Sequence, residues 1–96
     1  MKIEILDEAE KDLLDGFEFY EYQSNGLGKY FLDSIFADIE SLLLYSGIHS
    51  KYFGYYRLLA KRFPFAIYYR LQDSTIRIYA ILDCRRNPSW IRKRLQ

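Results

Sequence analysis

The sequence predicts an α+β domain: an N-terminal strand, then an α-helical hairpin packed on a small, mostly antiparallel sheet, in the order β-α-α-β-β-β. Three observations lead there. Apolar residues recur at helical spacing over residues 9–43, and they alternate at strand spacing over residues 55–84. Turn-forming clusters punctuate the chain at Ser24-Asn25-Gly26, Ser46-Gly47, Gln72-Asp73-Ser74 and Arg85-Arg86-Asn87-Pro88. Helix and strand place side chains on one face with different periods, so a change of period marks a change of element.

The elements follow in order. KIEIL (2–6) is short and alternating, as a strand should be. Asp7 then opens DEAE, with Glu10 three residues on. Asp7 as N-cap, answered by Glu10, starts a helix near Glu8. Ala9, Leu13, Phe17 and Tyr20 form its apolar stripe, and Ser24-Asn25-Gly26 ends it. A second helix spans 27–45, with Phe31, Ile35, Ile39 and Leu42 as its stripe and Leu32, Phe36 and Leu43 widening it. The short link makes the two helices antiparallel. Residues 46–54 read as a loop. Three strands follow, 55–61, 63–71 and 75–84, as an antiparallel meander. SWIRKRLQ (89–96) reads as a short basic tail with at most a helical turn.

Alternation assigns faces. Phe63, Phe65, Ile67, Tyr69 and Leu71 point to the helices in the middle strand; Tyr56, Leu58 and Ala60 do so in the first, and Ile76, Ile78, Ala80 and Leu82 in the last. The opposite face then presents Arg57, Arg70 and Arg77 with Tyr55, Tyr68 and Tyr79, beside Ala66 and Ile81. Arginine and tyrosine together suit phosphates, stacked bases or an acidic peptide. They equally suit a wet sheet face with snorkelling arginines.

Composition narrows the function classes. Ninety-six residues, half of them apolar and 19% aromatic, fit one ordered domain over 1–96. No apolar run reaches the roughly 18 residues of a membrane span, and the N-terminus is acidic too early for a signal peptide. With one cysteine, Cys84, and no leader, a reducing cytoplasm is the expected setting. The net charge of +1 hides a split: residues 1–48 carry eleven acids against three bases, residues 49–96 two acids against eleven. Such asymmetry points to an acidic partner for the C-terminal half.

Several kinds of chemistry find no motif. There is neither a dinucleotide fingerprint nor a phosphate loop, and GLG (26–28) alone makes no cradle. One His and one Cys on different elements are a poor metal set, so neither metal nor cofactor is expected. His49 reads as a loop bystander and Cys84 as a small strand residue. Glu8, Asp12, Asp15 and Glu18 sit at helical spacing and read as a solvated surface.

Taken together, several stretches carry a resemblance. Ala9, Asp12-Leu13 and Tyr20 resemble a first-helix A-x-x-D-L…Y pattern, and Gly26-Leu27-Gly28 with Phe31, Ile35 and Ile39 a second-helix one. Arg62-Phe63-Pro64-Phe65-x-Ile67-Tyr68-Tyr69 is similar to R-F-P-Y-x-I-Y-Y, and Ala80-Ile81-Leu82-x-x-Arg85-Arg86-Asn87-Pro88-x-Trp90 to A-V-L-H-x-R-R-D-P…W. In this order they resemble the RelE/ParE toxin superfamily of type II toxin–antitoxin (plasmid stabilisation) systems, closer to its ParE-like branch.

The resemblance implies a toxin held by a cognate antitoxin, which often adds a strand to the sheet. Two activities occur in the superfamily: ParE-like members poison DNA gyrase, and RelE-like members cut mRNA on the ribosome. The nuclease needs cations at the scissile phosphate and groups that move protons. Ala66 stands where nuclease relatives place a central-strand arginine, and Asp83 where the motif has its His, while Arg85 matches. The departures favour the gyrase reading, with Arg85, Arg86, Trp90, Arg92, Lys93 and Arg94 as target or antitoxin surface. The nuclease alternative would use Arg57, Arg70, Arg77 and Arg85 as charge stabilisers, with Tyr68 stacking on a base. A third alternative is an inactive member that only binds its antitoxin.

Overall fold

A computed structural model describes the whole chain, Met1–Gln96. The observed elements are β1 (Lys2–Ile5), α1 (Asp7–Gln23), α2 (Leu27–Tyr45), β2 (Lys51–Tyr52), β3 (Tyr55–Leu59), β4 (Phe65–Gln72), β5 (Thr75–Asp83) and α3 (Pro88–Leu95). They form one five-stranded sheet in the order β1-β5-β4-β3-β2. The β2-β3-β4-β5 meander is antiparallel, and β1 runs parallel to β5, a pairing that the long intervening stretch of hairpin and meander allows.

The hairpin packs through two glycines. A Cβ on Gly16 would lie 2.6 Å from the Phe31 ring, and one on Gly28 2.7 Å from the Phe17 carbonyl oxygen. The start of α2 is capped from α1: the Glu21 carboxylate accepts from Gly26 N (3.0 Å) and Gly28 N (2.9 Å). At the start of α1 the expected Asp7 cap is absent. Leu6 holds the cap position and makes no side-chain bond, while Asp7 lies inside the first turn. Its charge there still complements the positive end of the helix dipole. Phe36 and Leu43, expected to widen the α2 stripe, are exposed.

Residues 46–54 are not wholly loop, because Lys51 and Tyr52 pair with Tyr56 and Tyr55 as an edge strand. The link between β3 and β4 is longer than the sequence reading had it. Pro64 has no N–H to offer a ladder, and the buried Asp38 of α2 accepts the Lys61 N–H at 3.2 Å, which draws the link onto the helix.

The main core lies between the hairpin and the sheet. Leu13, Phe31, Ile35, Ile39 and Leu42 of the helices meet Phe65, Ile67, Tyr69, Ile76 and Ile78. Up to Ile78 the predicted faces hold; beyond it they invert. Tyr69 pairs with Ile78, but Tyr68 pairs with Ala80, so Tyr79 is one extra residue in β5. Such a bulge shifts the alternation by one. Ile81 therefore enters the main core, while Ala80 and Leu82 turn to the other face.

That other face is a second core and not an open platform. Ala80 and Leu82 join Ala66, Tyr68 and Tyr55 there, and Ile91 and Leu95 of α3 cover them. The basic tail is thus a full two-turn helix. Asn87 caps it by accepting from Ser89 N at 2.8 Å, and Pro88 follows as a helix-starting residue. No helix is long and apolar enough to cross a membrane.

Candidate partner-binding surface

The end of β5, the turn after it and α3 bring the C-terminal candidates to one corner. Arg85 grips Asp83 with two guanidinium nitrogens, Nε to Oδ1 at 3.0 Å and Nη2 to Oδ2 at 2.7 Å, and its backbone N–H donates to the same carboxylate. These bonds hold the Asp83 carboxyl below the usual carboxylate range, against a smaller opposing effect of burial. Nη2 of Arg85 also reaches the Tyr20 hydroxyl at 3.5 Å. Arg86 lies over Trp90, 3.9 Å from the ring centre. Arg92 and Lys93 project from the exposed side of α3.

Arg94 differs from its neighbours. Its two terminal nitrogens donate to the two oxygens of Asp12 at 2.7 and 2.8 Å, and Glu8 lies at 3.8 Å. Asp12 also accepts the Ile81 N–H at 3.0 Å. The sequence reading placed Asp12 on a solvated face; it is buried. The reason is local. β1 ends opposite Ile78, so the β5 edge beyond has no neighbouring strand, and an unpartnered N–H there would be costly. Asp12 fills that place and clamps α1, β5 and α3 together. Its companions Glu8, Asp15 and Glu18 are exposed as expected. A signal was present: Asp12 lies three residues after Ala9 and four before Gly16, on the stripe that α1 buries.

The far-face arginines are spread along the sheet, and each has intramolecular company. Arg57 lies over the Tyr52 ring at 4.9 Å, and Arg70 lies over Tyr55 at 4.2 Å and Tyr79 at 5.2 Å. Arg77 pairs with Glu4 at 3.3 Å and with Gln72 at 2.7 Å. Tyr68 is 2% exposed inside the second core, so its ring offers no free face to a base. Burial raises its hydroxyl pKa, with Arg57 pulling more weakly the other way. Ala66 is fully buried beside it.

Cys84 is free and belongs to an exposed residue, yet partial burial of the thiol raises its pKa more than Arg57 lowers it. That is the opposite of an activated thiolate. His49 has a structural role that its isolation in sequence hid. The Gly47 N–H donates to the Tyr69 hydroxyl at 3.0 Å, which leaves that hydroxyl's proton for His49 Nδ1. Burial pushes the His49 pKa down, favouring the neutral ring that can accept it.

A family model described as "ParE toxin of type II toxin-antitoxin system, parDE" matches residues 3–88. Among curated proteins nothing matches. A solved structure described as "Chromosomal ParDE TA system from P. aeruginosa" shares the fold with a TM-score of 0.74 at 22% identity, covering 84% of this chain and 92% of that one. The family match ends at Pro88, where α3 begins, so nearly all of the helix that closes the second core lies beyond it.

Proposed function

The chain belongs to the ParE toxin family of type II toxin–antitoxin systems, and from that premise we propose that it is a protein-binding toxin, restrained by a cognate antitoxin and directed at DNA gyrase. The observation that carries this reading against RNA cleavage is the closed far face of the sheet. A metal-independent nuclease needs cations converging on a phosphate and a group to move protons. Here the central-strand position is the fully buried Ala66, Tyr68 is buried in the second core, and Arg77 and Arg85 are occupied by Glu4 and Asp83. The corner at β5 and α3 instead offers exposed Arg85, Arg86, Arg92 and Lys93 with the half-buried Trp90. Arginine and tryptophan are the residue types that dominate protein–protein hot spots.

A second reading, a ribosome-dependent mRNA interferase, is supported by Arg57 and Arg70, which lie on the far face without a carboxylate partner. Expression without antitoxin separates the two. Purified toxin that blocks gyrase supercoiling supports the first. Codon-phased cleavage of ribosome-bound mRNA, with supercoiling untouched, would replace it with the second. Normal growth at good expression would leave an inactive antitoxin-binding member.

A further inference from the structure

Between α1, the end of β5 and α3 lies a cleft of about 350 Å³. This is near the lower end of the roughly 300–1,000 Å³ range of ligand pockets, and suits one or two bulky side chains better than a cofactor. It is lined by the exposed Phe19 of α1, the half-buried Trp90 of α3 and the buried Phe65 and Leu82 of the sheet.

Most charges around the cleft are already neutralised within the chain: Asp12 by Arg94, and Asp83 by Arg85. Two rim groups enter no ion pair, Arg86 and Asp15. Arg86 lies over the Trp90 ring, 3.9 Å from its centre, a cation–π contact that holds the guanidinium at the rim without using up its hydrogen-bond donors on a carboxylate. A slot with aromatic residues on two sides and an unpaired guanidinium at its rim is a recognition site for an apolar side chain next to a carboxylate.

We infer that this cleft is the anchor site for a segment of a protein partner that inserts an aromatic or long aliphatic side chain between Phe19 and Trp90 and pairs an adjacent carboxylate with Arg86. The inference rests on the reading of the chain as a toxin held by a protein, and it makes α3 part of the binding site. α3 serves that role because Asp12 pins Arg94, whose guanidinium lies 5.8 Å from the centre of the Trp90 ring.

The test titrates ¹⁵N-labelled protein with the capped dipeptide acetyl-Phe-Glu-amide, and with Phe-Lys and Ala-Glu counterparts, following amide and Trp90 indole N–H shifts. The expected result is saturable shifts clustered at Gly16, Phe19, Leu82 and the Trp90 indole for Phe-Glu. Phe-Lys and Ala-Glu should each bind at least about tenfold more weakly, a difference of about 1.4 kcal/mol. Arg86→Glu should reverse the preference between Phe-Glu and Phe-Lys. Phe19→Ala, on an exposed residue, should abolish the preference for Phe over Ala even if Arg86→Glu disturbs α3. Shifts centred elsewhere, no saturable shifts, or equal binding of all three peptides would overturn the site. Those outcomes involve neither gyrase nor growth, so the anchor site can fail while the toxin reading stands.

Discussion

At the scale of single residues, Asp12 binds more of the fold together than any other polar group. It satisfies one backbone N–H and one guanidinium from elements 69 and 82 residues away along the chain. Asp12→Ala removes both partners at once and leaves Arg94 facing a partly buried void. Breaking a buried pair from one side costs roughly 3–5 kcal/mol; because the Arg94 side chain is 23% exposed, about 3 kcal/mol is expected from urea unfolding. His49 makes a smaller, pH-dependent contribution. Its folded pKa lies below its ordinary 6.5, so the unfolded chain takes up the proton first as pH falls. Its stabilising effect is complete above pH 6.5 and is lost as pH falls through the folded pKa. Melting temperature should therefore drop on acidification below 6.5, and His49→Gln should flatten that part of the profile. An unchanged slope in the variant would assign it to other groups.

At the scale of elements, both long helices and the meander were legible because each has a strong period. α2 spans the predicted residues, and Phe65, Ile67 and Tyr69 face the helices as alternation requires. What alternation did not show was the extra residue Tyr79. A bulge leaves no mark of its own in an apolar run, and every assignment beyond it in β5 inverts. α3 was hidden differently: Ile91 and Leu95 are only two apolar residues, four apart, among three charges and a tryptophan. Their meaning depends on a second apolar face that the bulge completes by turning Ala80 and Leu82 toward it. The Arg85–Asp83 grip was likewise invisible, since a pair two residues apart depends on how the strand ends. Leu95 is 4% exposed, so Leu95→Ala should cost roughly 2–5 kcal/mol and speed amide exchange in α3 before the rest of the molecule. Gly16→Ala acts from the other side of the sheet. Its Cβ meets the Phe31 ring at 2.6 Å, and an overpacking cost of about 1–3 kcal/mol is expected in thermal melts.

At the scale of the whole molecule, charge and fold divide the surface. α1 carries seven of the thirteen acids, while the bases gather on the sheet's far face and α3. The far face is where a nuclease of this architecture would work, and the decisive residue is again the small one. Ala66 pairs with Leu82 in β4–β5 and has no exposed surface. If only the missing arginine separated this chain from an RNA-cutting relative, Ala66→Arg would add cleavage of ribosome-bound mRNA. The packing argues otherwise. A guanidinium placed there lies within the second core of Tyr68, Leu82, Ile91 and Leu95, with no carboxylate in that core to receive it. A buried, unpaired charge of this kind costs several kcal/mol, and the cheaper escape is to push α3 off the sheet. The expected outcome is a lower melting temperature, faster amide exchange in α3, weaker binding at the β5–α3 corner and no codon-phased cleavage. A variant that keeps the parent's stability and cuts mRNA would show that the far face is an active site lacking one residue, and would overturn the assignment of this chain to protein-directed toxicity.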